Sequence, residues 1–197
     1  EIIREKFIKE ITLSYNFELW SPENPKLYDF VLINQSGDEV RSYFGLRSFG
    51  KMQDEKGIAR LTLNEKPYFF NGVLDQGYYS DGILTPASEE SYIEDILLMK
   101  EAGFNMLRKH AKLESLRWYY HCDRLGMLVW QDMPSIADNS TGVWGNRAYD
   151  SGTDSQGTEE GKANYYKEWS EIINAYKVFP CIVSWVPFNE AWGQFDT

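Results

Sequence analysis

Glu190 and Asn189 close an apolar, strand-like run, Cys181 to Phe188, and this Asn-Glu pair is the sharpest chemical feature of the 197 residues. A carboxylic acid at a strand tip can protonate a glycosidic oxygen if partial burial raises its pKa. Phe188 and Trp192 are the expected apolar walls, and Asn189 supplies an amide able to bind and orient a sugar hydroxyl. An isolated Asn-Glu dipeptide means nothing; "SWVPFNE" after alternating strands and helices means more.

Three further strand ends carry polar residues. Asp75 and Gln76 end the first, Arg108, Lys109 and His110 the second, and Gln131 and Asp132 the third. Each has a bland counterpart: Arg108 with Asp132 is also the make-up of a structural ion pair. A lone histidine such as His110 is usually a hydrogen-bonded packing residue, and Trp130 and Trp185 read as core. What favours a site is polar residues at four successive strand ends, because parallel α/β barrels gather their chemistry on the C-terminal rim.

The elements that would position these residues follow from periodicity. "TPASEESYIEDILLMKEAG" reads as a helix, with Pro86 in its first turn, Glu89 and Glu90 at the positive end, Gly103 as the stop, and Tyr92, Ile93, Ile96 and Leu97 as its apolar stripe. "FNMLR" as strand, "ESLRWYYHCDRLG" as helix ending at Gly126, "MLVW" as strand, "YYKEWSEIINAYK" as helix and "CIVSWVPF" as strand continue the alternation. The first strand of the series is the run Tyr68 to Val73. Regular strand–helix succession implies parallel strands joined by right-handed crossovers. No Gly-x-Gly-x-x-Gly follows the first strand, so a dinucleotide fold lacks its signature and a barrel is the better fit. A barrel takes about 250 residues, and the stretch after roughly Glu65 supplies about half.

The residues before Gly57 are different. "EIIREKFIKEITLSY" reads as a strand, "WSPENPK" as a loop, and two β-rich runs flank the turn signal Asn34-Gln35-Ser36-Gly37, as in a hairpin of a β-sandwich. A Gly/Ser/Asn/Asp-rich loop, residues 135–161, has a length usually reserved for function or disorder.

Thirty acidic against twenty basic residues give a net charge of −10 and no basic cluster, which argues against nucleic acid as a partner. Aromatic residues make up 16% of the chain, which suits sugar faces and also ordinary cores. Cys122 and Cys181 match no metal-ligand spacing and leave a single disulfide open. No run of eighteen apolar residues and no signal-peptide pattern occurs, so compartment is not legible. The start at Glu1 and the end beside the candidate site suggest a piece of a larger protein.

"LWSPENPKLYDFVL", "VRSYFGLRS", "LNEKPYFFNGVLDQG", "LRKH", "LVWQDMP" and "SWVPFNEAWG" resemble, in order, the motifs of glycoside hydrolase family 2, the β-galactosidases, β-glucuronidases and β-mannosidases. The resemblance implies an α/β fold, the first half of a (β/α)8 TIM barrel over residues 61–197, preceded by strands of an immunoglobulin-like β-sandwich over residues 1–60. It implies a fragment of a retaining exo-β-glycosidase, β-galactosidase-like, with Glu190 as acid/base. The nucleophilic glutamate would follow strand seven, beyond Thr197. Asn189 would bind the sugar 2-hydroxyl and Arg108 would support the nucleophile. Asp75, His110, Asp132 and Trp192 complete the expected substrate-binding set.

Two departures stand out. "RKHAKLE" replaces the family's Ser-His-Tyr-Pro-like stretch, and "QDM" replaces the common Asp-Glu at the end of strand three, pointing to a divergent subgroup. Some members use Mg²⁺ or Na⁺, but no acidic ligand cluster here calls for a cofactor. The expected partner is a small β-glycoside, with no nucleic acid and no membrane, and a half-barrel with bare edges should self-associate. The alternative is a carbohydrate-binding or catalytically inactive relative.

Overall fold

The computed structural model describes residues 12, 16–134, 158–190 and 193–195. Strands β1 (Tyr28–Ile33) and β2 (Glu39–Phe44) form an antiparallel hairpin. Its turn is built by Asn34, whose Oδ1 accepts from the Ser36 and Asp38 amides at 2.9 Å, while Gly37 takes the left-handed conformation. A second antiparallel sheet, β3 (Phe49–Gln53), β4 (Ala59–Leu63) and β5 (Lys66–Pro67), follows. This meander is not evident in the sequence. Its strands are short and interrupted by Gly50 and Pro67, and β4 runs across residue 60.

The rest is the βα series. Parallel strands β6 (Gly72–Asp75), β7 (Met106–Lys109), β8 (Leu128–Asp132) and β9 (Ile182–Val186) pair in chain order. Helices α1 (Glu89–Glu101), α2 (Leu116–Leu125) and α3 (Glu159–Tyr176) lie between them in the chain. This is a partial α/β TIM barrel preceded by immunoglobulin-like strands.

Local chemistry sets the ends. Gly126 closes α2 in the left-handed conformation, its amide bonded to Cys122 O at 2.9 Å. Thr158 caps α3 by accepting from the Gly161 amide at 3.1 Å, so this helix begins well before Tyr165. α1 begins at Glu89, beyond Pro86, because Asp81 holds the Ala87 amide at 3.2 Å and Ser88 is still extended. Its buried stripe is Tyr92 and Ile96, whereas Leu97 is exposed. β6 starts four residues later than the apolar run suggests. Tyr68 still bonds Leu61 O, and Phe70 packs edge-on against Tyr68 and Phe49.

One core joins the barrel helices to the N-terminal strands, with Trp20, Leu63, Ile96, Trp118, Tyr119 and Val129 in its centre. Asp123, fully buried on α2, is the polar joint of this contact. Its carboxylate accepts from Tyr43 Oη at 2.8 Å and from the Cys181 amide at 2.7 Å, and its carbonyl accepts from Trp20 Nε1 at 2.7 Å. Arg47 adds bonds to the carbonyls of Pro180 and Ile182. Cys122 and Cys181 are free, fully buried thiols, and burial pushes both pKa values up. Among the described residues no helix is long and apolar enough to cross a membrane.

Candidate active site

Side chains alternate across a strand, so the two residues ending β7 face opposite ways. Arg108 lies on the face that carries Asp132 and Asn189. Its Nε and Nη2 each reach an Asp132 oxygen at 2.9 Å, and Nη2 also donates to Asn189 Oδ1 at 2.8 Å. Three strand ends thus converge on one guanidinium, in the planar two-pronged geometry that favours Arg over Lys. Asp132 is sealed, and its Oδ2 also accepts from the Ala111 amide at 3.3 Å, while Arg108 keeps 27% of its side chain exposed. β8 and β9 pair with an extra residue, Val183, between the partners of Val129 and Trp130. Such a bulge re-aims the strand leading to Asn189.

Lys109 takes the other face. Its side chain is fully buried beneath α2, with Nζ 4.3 Å from the Trp118 ring centroid, 2.7 Å from Asp75 Oδ2 and 3.0 Å from Glu114 Oε1. Lys112 meets the same Glu114 oxygen at 2.7 Å. Asp75 Oδ1 accepts from the Gly77 amide at 2.8 Å. The carboxylate oxygens of both Asp75 and Asp132 are engaged by protein donors. His110 remains on the rim, with its Nδ1 3.4 Å from Gln76 Nε2 and its amide bonded to Asp75 O.

Glu190 follows Asn189 in the left-handed conformation, at φ 50°, a strained setting for a non-glycine residue. It is exposed, contrary to the expected partial burial. Phe188 stacks on Tyr165 at 5.2 Å and meets Phe195 edge-on in a small separate cluster. Trp192, the other expected wall, lies outside the described residues. Trp130 and Trp185 are half-buried, the latter edge-on to Trp169. Among the described residues no three His, Cys, Asp or Glu side chains converge as metal ligands.

Nothing in the sequence singles out Lys112 or Glu114. A lysine in "RKHAKLE" reads as solvated. The available signal is the period of two in "MLRK", which places Lys109 on the face of buried Leu107 rather than beside Arg108.

The family model for the TIM barrel domain of glycosyl hydrolases family 2 matches residues 55–196, and the model titled glycosyl hydrolases family 2 matches residues 4–47. The chain belongs to glycosyl hydrolases family 2. It is similar to a β-galactosidase of Leuconostoc mesenteroides, 35% identical over 124 residues, covering 58% of this chain and 11% of that protein. It also resembles a putative β-glucuronidase of Formosa agariphila, 27% identical over 185 residues, 92% of this chain and 20% of the relative. Among solved structures, β-glucuronidase 3 of Bacteroides uniformis superposes with a TM-score of 0.66 at 26% identity, covering 91% of this chain and 21% of the other. This family 2 chain thus spans about a tenth to a fifth of the length of these relatives.

Proposed function

We propose that the full-length protein carrying this chain is a retaining exo-β-glycosidase in which Glu190 is the acid/base. The reading rests on the Arg108–Asp132–Asn189 array immediately before Glu190. With Oδ1 accepting from Arg108, the Asn189 amide group is oriented and its N–H donors serve a sugar hydroxyl, which fixes the ring beside the acid. Glu190 protonates the glycosidic oxygen as the bond to the aglycone breaks, then takes a proton from the water that hydrolyses the glycosyl-enzyme. Arg108, its side chain partly exposed, supports the nucleophile. That nucleophile is the glutamate the family places after strand seven, about 5 to 5.5 Å from the acid in a retaining pair. Asp132 orients Arg108, and His110 contacts the sugar.

The substrate class is a β-galactoside, as for the Leuconostoc relative. A β-glucuronide is the second reading, favoured by the relative that matches 92% of the chain. A panel of aryl β-glycosides on the full-length protein separates the two. Glu190→Ala should lower turnover of a glycoside with a poor leaving group by about 10²- to 10⁴-fold, and azide should restore turnover of an activated aryl glycoside. An unimpaired Glu190→Ala protein sinks the assignment, and no turnover of any glycoside by the wild type favours a binding or inactive relative.

A further inference from the structure

The loop between β6 and α1 contains an unusual stretch, residues 77–84. Gly77 has φ 65°, and Ile83, a β-branched residue, is held at φ 62°. Branched side chains rarely occupy that region, so the surrounding structure must enforce it. The ends of residues 79–83 are tied by paired backbone bonds, Tyr79 N to Ile83 O at 2.8 Å and Ile83 N to Tyr79 O at 2.9 Å. Lys112 closes the whole stretch: its Nζ donates to Gly77 O at 2.5 Å and to Leu84 O at 2.6 Å. The third contact of that ammonium is Glu114 Oε1, itself held by buried Lys109. A Cβ on Gly77 would collide with Glu114 Oε1 and Lys112 Nζ, so the loop is seated directly on this charge cluster.

The residue next to the clasp is Gln76, whose side chain faces His110 on the rim, two positions from Arg108. We propose that Lys112 is a positioning residue: braced by Glu114 and Lys109, it clasps the strained 77–84 loop and thereby holds Gln76 and His110 where the glycoside binds. It touches no reacting atom. Releasing it should loosen ground-state binding while leaving proton transfer by Glu190 in place. The part that concerns binding rests on the glycosidase reading; the clasp itself does not.

The test uses the full-length protein and Lys112→Met, which keeps the Lys109–Glu114 pair. Hydrogen exchange of amides 77–84, measured without substrate, should quicken about tenfold as charge-assisted bonds are lost, with the exchange of β7 and β8 unchanged. On whichever aryl glycoside the wild type hydrolyses, KM should rise about tenfold with kcat nearly constant, the pattern of lost uniform binding. Gly77→Ala attacks the same contact from the loop side and should give the same split, so a misfolded Lys112→Met protein leaves the idea exposed to refutation. Unchanged loop exchange in a folded variant overturns the clasp. Faster exchange with unchanged KM, or a fall confined to kcat, overturns the positioning role. If the wild type cleaves no glycoside, the glycosidase reading fails, while exchange still decides the clasp.

Discussion

Arg108 and Lys109 are neighbours in one strand, yet one joins an open array and the other a sealed one. Arg108 meets Asp132 and Asn189 with about a quarter of its side chain in solvent, whereas Lys109 has no exposure and lies between Asp75, Glu114 and the Trp118 ring. The strand's alternation sorts two cations of similar sequence context into one able to face a ligand and one able only to hold loops. Polar residues at strand ends are therefore not interchangeable evidence of a site: their parity decides which side of the sheet they serve.

The widest test of this contrast compares two truncations to methionine. Lys109→Met removes the cation that Glu114 and Asp75 share, leaving Glu114 to Lys112 and Asp75 to the Gly77 amide, and breaking a buried pair typically costs about 3–5 kcal/mol. Among the described residues, Arg108→Met leaves the Asp132 carboxylate with only the Ala111 amide, but water can enter from the open side, so about 2–3 kcal/mol is expected. Activity should order the other way, with Arg108→Met losing more turnover per unit of stability lost. Urea midpoints with kinetics on the full-length protein check both orders, and a costlier Arg108→Met would break the distinction between open and sealed.

The same parity explains what the sequence makes legible. Glycine stops, apolar stripes and the Asn34–Gly37 turn are local signals, and they place the hairpin, the three helices and the parallel strands within a few residues. The rim residues are visible as polar punctuation after apolar runs. Their partners are not: the Lys112–Leu84 contact spans 28 residues and Trp20–Asp123 spans 103, distances over which no periodicity speaks. Of the two aromatic walls expected beside Glu190, Phe188 serves another cluster, which adjacency in sequence does not reveal, and Trp192 lies outside the described residues.

Asp123 sharpens the contrast from a third position, as a buried carboxylate to which no cation among the described residues is bonded. Tyr43 Oη and the Cys181 amide are its hydrogen-bond donors, Arg47 is the nearby cation, and the two buried cysteines lie alongside. Burial outweighs these and pushes its pKa from 3.8 up to about 7. The native state therefore holds a proton that the unfolded chain releases. The resulting stability is full below 3.8, declines as pH rises, and is gone above about 7. The decline should amount to about 2–4 kcal/mol. Asp123→Asn should flatten that part of the profile in unfolding measured from pH 4 to 8, and an unchanged slope would show that other groups carry it.

The smallest effect is expected where the same chemistry stands in water. Arg41 and Glu39 form a 3.3 Å pair on β2 with side chains 78% and 46% exposed, against 27% and 0% for Arg108 and Asp132. Solvent screens such a pair, and holding two long side chains in one geometry offsets most of the attraction, so Arg41→Ala should change stability by less than about 0.5 kcal/mol. Thermal melts at low and high salt check this. If Arg41→Ala rivalled Arg108→Met, guanidinium–carboxylate contact alone would set the energy. A near-neutral result assigns the difference to the desolvated carboxylate, which at Asp132 must keep its arginine and at Glu39 can turn to water.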